Sequence, residues 1–420
     1  MTTVDRMRRP RGVAGGLARG DASRRPRWPA AAAGVLLVAA VVVASRAAAR
    51  GRHVDLEVYR RAGERWLQGT DPYAVRPELP FTYPPVSAAL SGLVAAAPAL
   101  AAVVLAVLAV ASAGAAAALA ARDGGRYARP VSAGDPRRWT DLAGAPVILA
   151  VALAVASEPV LRTVELGQVN GLLLALVLVD QLVLPHRWRG WLTGVAVGLK
   201  LTPLAFVLVA LVRRDWAVVR RLGAAALSTA LAGAVLVPGS TTTYWGGLVV
   251  DAPRIGAPGF VDNQSLLGAA TRVVPGAATM VWLLASAAAV GLALVALHRA
   301  RAGPPLVPVL VCGLVACLVS PISWSHHWLL LPAVVTWCWW TGHRLTAVVG
   351  TGALAVPFVA VPGLDLPVIV SGLLANAGAI AGVVALAALS QGPSRWTWAV
   401  AEWAARPALT RREPCDLDQR

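Results

Sequence analysis

Residues 85–121 read PVSAALSGLVAAAPALAAVVLAVLAVASAGAAAALAA, without a single charged side chain. A helix that crosses the hydrocarbon core of a bilayer needs about 20 consecutive apolar residues, and this run is longer than that. Pro98 lies inside the run and predicts a kink, because proline cannot donate the backbone hydrogen bond that continues a helix. The stretch therefore predicts membrane-spanning helix with an interruption near Pro98.

The whole chain shares this apolar character. Of its 420 residues, 57% are hydrophobic and 14% are charged, whereas a soluble domain carries about 25% charged residues. The candidate membrane spans are 28–45, 85–121, 141–157, 169–185, 191–200, 202–212, 222–238, 276–297, 304–319, 328–341, 345–361 and 368–390. The predicted fold class is an all-α polytopic membrane protein, a bundle of about 12 transmembrane helices.

The arginines predict the orientation of the spans. The formal net charge is +17, but the arginines occur in short runs between apolar stretches, as the positive-inside rule produces, so no nucleic-acid partner is expected. If these runs face the cytoplasm, the outer loops are 46–84, 158–168, 239–275, 320–327 and 362–367. The predicted parts are a basic cytoplasmic tail at 1–27, a membrane domain at 28–390 and a cytoplasmic tail at 391–420. The first tail and first span together predict a signal anchor.

Two segments do not fit this alternation easily. Residues 85–121 must cross an odd number of times, although the run is long for one helix. Residues 191–212 need two very short helices, broken at Thr202-Pro203, if the flanking arginines are to share a side. Broken helices are tolerated in membranes only where protein or a water-filled cavity surrounds them. The break therefore predicts a cavity near Lys200.

The first outer loop contains a predicted amphipathic helix at residues 55–67. Apolar residues recur there at helical spacing: Leu56, Tyr59, Gly63, Trp66 and Leu67. A helix of this kind is expected to lie on the membrane surface.

Two charged residues are candidates for chemistry. Asp55 begins the amphipathic segment, and a carboxylate at a membrane surface can act as a general base toward a hydroxyl. The alternative is a solvated loop acid or a helix N-cap. Lys200 is the single lysine in the chain and lies in an apolar run. An ionisable group there indicates function, with a phosphate as the natural partner, unless the side chain extends to the interface.

The histidine pair His326-His327, between Trp324 and Trp328, is a second candidate for acid–base chemistry or phosphate binding. The alternative is that these aromatic rings anchor a helix at the membrane interface. Adjacent side chains on a helix point about 100° apart, so we expect no shared metal ion. The four cysteines form no CxxC pair, and we predict neither a zinc site nor a disulfide framework.

Other polar residues near span ends are candidate ligands for sugar hydroxyls or phosphate. These are Tyr83, Gln168, Asn170, Arg254, Asn263, Gln264 and Arg272. The amides are equally suited to capping helices or joining spans, and the arginines to being loop charges. Because all of these residues fall on one predicted face, they indicate an anion-binding, hydroxyl-rich cavity there. An enzyme that uses a lipid-linked phosphosugar and a transporter of an anionic substrate both fit, and the lack of an internal repeat favours the enzyme.

The motifs together resemble glycosyltransferase family 87, the polyprenol-phosphate-mannose-dependent α-mannosyltransferases of actinobacteria. The resemblance runs from about residue 50 to residue 340 and rests on the order of the motifs. They are Asp55-Leu-Glu-Val-Tyr59, Gly69-Thr-Asp-Pro-Tyr73, Tyr83-Pro-Pro85, Gly167-Gln-Val-Asn170, Lys200-Leu-Thr-Pro203, Asn263-Gln-Ser265 and Ser320-Pro-Ile-Ser-Trp324 with His326-His327.

This resemblance implies a GT-C fold in the cell membrane, with an extracytoplasmic active site, and the arginine distribution predicts that both termini are cytoplasmic. The resemblance also implies inverting transfer of mannose from a lipid-linked phosphosugar to a glycolipid or lipoglycan. The residues themselves call for no metal ion or other cofactor, and we expect none. Asp55 matches the family's general base. Another prenyl-linked sugar such as arabinose is an alternative donor, and a lipid-linked-sugar flippase is the alternative outside enzymes.

Overall fold

The computed structural model describes residues 28–74, 79–128 and 144–391. Within these ranges all regular structure is helical, apart from one isolated β-bridge between Asn263 and Trp324. The α-helices are α1 (Trp28–Arg50), α2 (Val54–Leu67), α3 (Pro85–Ala96), α4 (Pro98–Ala128), α5 (Ala145–Ala156), α6 (Glu158–Leu166), α7 (Asn170–Leu178), α8 (Trp191–Leu199), α9 (Val207–Arg213), α10 (Trp216–Leu236), α11 (Pro238–Gly246), α12 (Ala252–Ile255), α13 (Leu266–Val273), α14 (Ala278–Arg299), α15 (Leu306–Val319), α16 (Leu331–Trp340), α17 (Arg344–Ala355), α18 (Val368–Ala375) and α19 (Ala377–Gln391).

Several of the described helices have the length and composition of membrane spans. Four qualify singly: Ala33–Arg50, Pro98–Arg126, Trp216–Leu236 and Pro275–Ala302. The bent pairs α5–α6 and α18–α19 raise the number to six if each pair is one span. The described residues are therefore all-helical, with four to six candidate spans, which is consistent with the predicted polytopic membrane protein, while the figure of 12 spans stays a prediction. The tails 1–27 and 392–420, and the arginines at 129, 137 and 138, lie outside the described residues.

The run 85–121 is divided where proline predicted an interruption. Helix α3 ends at Ala96, and Ala97 has φ −145° and ψ 65°, outside helical values. Helix α4 then begins at Pro98, whose missing N–H costs nothing in the first turn of a helix. The two parts have different neighbours, since α3 packs against α2 and α10, and α4 packs against α5, α7 and α16.

The interior of the bundle is built around α15 and α16. All but two residues of α15 are buried, and α16 is buried from Leu331 to Cys338. A helix that is apolar on every side is stable only when protein or lipid surrounds it, and here other helices do so. The connecting segment 320–330 carries the histidine pair and is held from both ends by this core.

The predicted amphipathic helix is present as α2, and much of its apolar face is buried in the protein, although Leu67 is exposed. Leu56, Tyr59 and Gly63 are buried inside the protein, mainly against α3. Gly63 lies so close to the Ser91 carbonyl that a Cβ atom would overlap with it. The aromatic residues of the first loop and α3 cover this buried face, and the position of the helix at the membrane surface stays a prediction.

Candidate active site

Lys200 lies at the break between two short helices, where the sequence predicted an interruption. Helix α8 ends at Leu199, and Lys200 itself is extended, with φ −157° and ψ 132°. The chain resumes as a 3-10 turn over Thr202–Phe206 before α9 begins. An extended residue between two helices turns its side chain out of both helical surfaces, and this one points into the protein.

The Lys200 ammonium is held by three groups. Its Nζ donates to Asn170 Oδ1 at 2.9 Å and lies 3.1 Å from His327 Nε2. It also lies 5.2 Å from the centre of the Tyr83 ring, a cation–π distance. The alternative of a lysine that extends to the membrane interface does not describe this side chain. We call Lys200, Asn170, His327, Tyr83, Tyr59 and Gln168 the Lys200 cluster.

Two tyrosines and one amide complete the cluster. Tyr59 Oη donates to Gln168 Oε1 at 2.9 Å, and Tyr83 Oη donates to the same oxygen at 3.2 Å. The two hydroxyls are 2.9 Å apart. Gly167, with φ +70°, ends α6 and allows the sharp turn that places Gln168 and Asn170 on the same side. Three distant segments of the chain therefore meet here.

Asp55 is at the start of α2, one turn before Tyr59, and is partly buried. Burial raises the pKa of its carboxyl, and a hydrogen bond from Gln168 and the positive charge of Lys200 act in the opposite direction. The helix N-cap is His53 rather than Asp55, so the capping alternative does not apply. A carboxyl with a raised pKa beside a cation suits a general base.

The histidine pair lies in a 3-10 turn, Ser325–His327. Asn170 Nδ2 and Thr163 Oγ1 both donate to the His326 carbonyl, at 3.0 and 3.1 Å, and fix the turn against α6 and α7. Both ring nitrogens of His326 and Nδ1 of His327 are buried without a hydrogen-bond partner among the described residues. Burial, followed by the charge of Lys200, lowers the pKa of both imidazoles well below the ordinary value, which favours neutral rings.

Asn263 and Gln264 do not reach the cluster with free amide groups. Asn263 donates to the carbonyls of Pro258 and Pro321 and accepts from the backbone of Ser323 and Ser265. Gln264 donates to two backbone carbonyls and accepts from the Gly378 N–H. Both side chains are fully buried. This saturation favours a structural role over the predicted binding of sugar hydroxyls.

The two predicted arginine ligands differ in whether the protein uses all of their buried hydrogen-bond donors. Arg272 donates to Asn376 Oδ1 at 2.8 Å and to the carbonyls of Phe260 and Asn263, so it also holds the loop together. Arg254 donates to the Phe81 carbonyl at 3.0 Å, but its buried Nε has no partner among the described residues. Arg254 therefore keeps a free donor beside the first loop.

Sequence reasoning missed four residues at the edge of the cluster: Glu158, Arg162, Asp262 and Ser325. Ser325 Oγ donates to Glu158 Oε1 at 2.8 Å, and its backbone N–H and hydroxyl face the Asp262 carboxyl. Two of the four adjoin motifs that were noticed, since Asp262 precedes Asn263 and Ser325 precedes His326. The signal that could have identified these two residues is that each is charged or polar and directly adjoins a recognised motif.

A cavity of about 90 Å³ adjoins the cluster. Asn170 and His327 form part of its polar end, and its other walls are mainly apolar, including Leu173, Phe206 and Leu314. The cavity lies among α7, α15 and the turn after Lys200. In the described part of the chain, no three His, Cys, Asp or Glu side chains are grouped to ligate a metal ion.

Known proteins resemble this chain over most of its length. A protein of Mycolicibacterium smegmatis is 33% identical over 312 residues, which cover 67% of this chain and 69% of the relative. A protein of Mycobacterium tuberculosis is 33% identical over 302 residues, with the same shares covered. Both are named polyprenol-phosphate-mannose-dependent alpha-(1-2)-phosphatidylinositol mannoside mannosyltransferase.

A third relative, from M. smegmatis, is 35% identical over 227 residues, or 52% of this chain and 54% of its own. It is named for a phosphatidylinositol pentamannoside acceptor. The sequence profile described as "Glycosyltransferase family 87" matches residues 81–321. This match covers more than half of the chain, and it includes the tyrosine, amide, lysine and asparagine motifs around the break at Lys200. The chain belongs to glycosyltransferase family 87.

Proposed function

We propose that this chain transfers mannose from polyprenyl-phosphate-mannose to a mannosylated glycolipid or lipoglycan, at the extracytoplasmic face of the membrane. The observation that carries the proposal is the ammonium of Lys200, held by Asn170 and His327 and electrostatically coupled to the Asp55 carboxyl. Family membership and the names of the relatives support the donor, the sugar and the phosphatidylinositol-linked class of acceptor. The arginine distribution supports the outer face.

The donor fits the cationic part of the cluster. A phosphate beside Lys200 would replace part of the lysine's hydration, and His327 and Asn170 keep the ammonium in position. The adjoining cavity is mainly apolar and suits the first units of a prenyl chain that continues into the bilayer. Arg254, with its unpartnered Nε, is a second donor for phosphate or sugar oxygen.

The transfer step needs one base and a stabilised leaving group. Asp55 accepts the proton of an acceptor hydroxyl as that oxygen forms a bond to the anomeric carbon of mannose. The bond from that carbon to the phosphate oxygen breaks, and its electron pair leaves with polyprenyl phosphate. Attack opposite the leaving group inverts the anomeric centre. Lys200 stabilises the charge that develops on the phosphate, and Tyr83 and Gln168 orient Asp55 and the sugar.

The test is transfer of labelled mannose from polyprenyl-phosphate-mannose to phosphatidylinositol mannosides, with membranes that contain wild type, Asp55→Asn or Glu57→Gln. Removing a positioned base lowers rates by about 100- to 10,000-fold, so we expect a loss of that size in Asp55→Asn. Glu57 is two residues away on the same helix and is paired with Arg60 and Arg61, which makes its variant a matched control. We expect Glu57→Gln to stay within about threefold of wild type, since exposed ion pairs contribute little.

The alternatives give different results. Transfer by the wild type only from polyprenyl-phosphate-arabinose would replace the sugar while keeping the enzyme class. Movement of the lipid-linked sugar across the bilayer without transfer would indicate a flippase. Equal transfer by wild type and a normally expressed Asp55→Asn would exclude Asp55 as the base.

A further inference from the structure

A second group of charged residues adjoins the Lys200 cluster and is not used by the proposed transfer step. Glu158 begins α6, Arg162 follows one turn later, and Asp262 lies in the segment before α13. Ser325 joins the two acids, because it donates to Glu158 at 2.8 Å and its hydroxyl and N–H face Asp262. Only 5% of the Asp262 surface is exposed.

These side chains have unused hydrogen-bonding atoms that are buried. Glu158 Oε2, Asp262 Oδ1 and Arg162 Nε have no partner among the described residues, and neither ring nitrogen of the neighbouring His326 has one. Buried polar atoms are costly unless they are hydrogen-bonded, and most in native proteins are. The two acids are linked through Ser325, next to His326, and both interact electrostatically with Arg162. Such a set of acceptors and donors is suited to a ligand that both donates and accepts hydrogen bonds.

Charge decides which ligand fits. A phosphate is attracted by the ammonium of Lys200 and not by the acids Glu158 and Asp262, whose own negative charge burial already disfavours, so the phosphosugar's anionic end belongs at Lys200. Sugar hydroxyls are neutral, and each can donate to a carboxylate and accept from a guanidinium. Asp55 interacts electrostatically with Lys200 and also with Arg162 and Asp262, so both the cationic and the acidic group lie near the base.

We propose that Glu158, Arg162 and Asp262 form a subsite that binds hydroxyls of the acceptor sugar and presents the reacting hydroxyl to Asp55. This inference rests on the proposed function, since it assigns the acceptor side of the same site. The donor approaches Asp55 from the Lys200 side, and the acceptor approaches from the Glu158–Asp262 side. Arg162 donates to Glu165 at 2.8 Å, and its positive charge also acts on Asp262 and Glu158.

The test separates the two substrates kinetically. Purified wild type, Asp262→Asn and Glu158→Gln are assayed with labelled polyprenyl-phosphate-mannose and n-octyl α-mannoside, each varied at a saturating level of the other. Loss of a hydrogen bond to a charged group changes an equilibrium constant by about tenfold or more. We expect KM for the mannoside to rise by about that factor, with KM for the donor within about twofold of wild type.

Asp365→Asn is the matched control, because Asp365 is an exposed acid in another predicted outer loop. Its two KM values should equal those of wild type. Should Asp262→Asn fail to fold, Glu158→Gln carries the same test, since Glu158 is only partly buried.

Other results would overturn the inference. Unchanged mannoside KM in both variants would exclude the subsite, and a rise in donor KM alone would assign these residues to the donor. Activity that EDTA abolishes and Mn²⁺ restores, with both variants shifting the Mn²⁺ requirement, would show that the carboxylates hold a cation. No transfer by the wild type would reject the proposed function itself, whereas the other three outcomes leave that function in place.

Discussion

Two pairs of adjacent polar residues lie next to each other in this molecule, but one pair is saturated with hydrogen bonds and the other is not. Asn263-Gln264 and His326-His327 lie on segments that touch, since Asn263 bridges to Trp324 and the Gln264 N–H donates to the Ser323 carbonyl at 2.7 Å. The two amide side chains are fully hydrogen-bonded to the backbone. Three of the four histidine ring nitrogens have no partner in the described residues, and the fourth lies beside Lys200.

The difference separates a scaffold from a binding surface. A buried polar group that is saturated by the protein stabilises the fold but has nothing left for a substrate. A buried group with unused atoms costs stability and is retained where a ligand completes it. From this difference in hydrogen-bond saturation we infer that the amide pair belongs to the scaffold, and we propose that the histidine pair and Lys200 belong to the site.

Within this comparison, the largest effect should come from removing the positive charge of Lys200. In Lys200→Met the leaving phosphate loses its cation, and removing one preorganised stabilising group costs about 100- to 1,000-fold in rate. We expect that loss in mannose transfer at unchanged expression. Lys200→Arg should recover only part of the rate, because a guanidinium cannot reproduce both short contacts of the ammonium. Transfer within threefold of wild type in Lys200→Met would assign the lysine to packing.

A substitution in the amide pair should lower the stability of the protein and leave the transfer reaction itself unaffected. Asn263→Ala leaves the Pro258 carbonyl and the N–H groups of Ser265 and Ser323 without their side-chain partner, whereas the Pro321 carbonyl keeps its bond from the Ser265 hydroxyl. Each unsatisfied buried group costs about 1–3 kcal/mol, so we expect the free energy of unfolding to fall by about 3 kcal/mol. Thermal unfolding of the purified protein in detergent measures this loss of stability. Lys200→Met is the complementary control, because it should lose transfer activity while its midpoint of thermal unfolding stays near that of wild type.

Activity per folded molecule should remain near wild type in Asn263→Ala. A selective rise in KM for either substrate, at normal stability, would return Asn263 to the list of sugar ligands and break the distinction drawn from saturation.

Sequence reasoning located much of this arrangement because the relevant signals are local. A lysine in an apolar run and the Thr202-Pro203 step are visible without structure, and the break they predicted is present at Lys200. The adjacent amides looked equally suited to binding, since a sequence cannot say which hydrogen-bond partners a side chain will meet. Their saturation depends on backbone groups more than 50 residues away, such as Pro321 and Gly378.

The same limit explains two further differences. The apolar stripe of α2 predicts that one face of the helix is shielded from water, but it does not say whether lipid or protein shields it. Here α3 and the first loop pack against this face. Glu158 and Asp262 come from loops about 100 residues apart, and each alone is an ordinary loop acid. Only the turn that carries Ser325 brings them together.

The smallest effect, and the most direct probe of the base, is the pH dependence of transfer. Burial raises the pKa of Asp55, and a base is active only when deprotonated, so kcat/KM should fall about tenfold per pH unit below this raised pKa. The fall should therefore begin at a higher pH than the ordinary aspartate value of about 3.9 allows. Gln168→Met removes the hydrogen bond that lowers this pKa, and so the fall should begin at a still higher pH in that variant.

The histidine pair should contribute no ionisation step to the pH profile of transfer near the ordinary histidine pKa. Burial and Lys200 lower the pKa of both imidazoles, so neither ring should gain a proton near the ordinary histidine value of about 6.5. An acidic limb at that value, at the same pH in Gln168→Met and wild type but absent in His327→Gln, would assign the titrating group to the histidine. The base would then lie on the turn 325–327, and Asp55 would act by orienting it through the shared cluster.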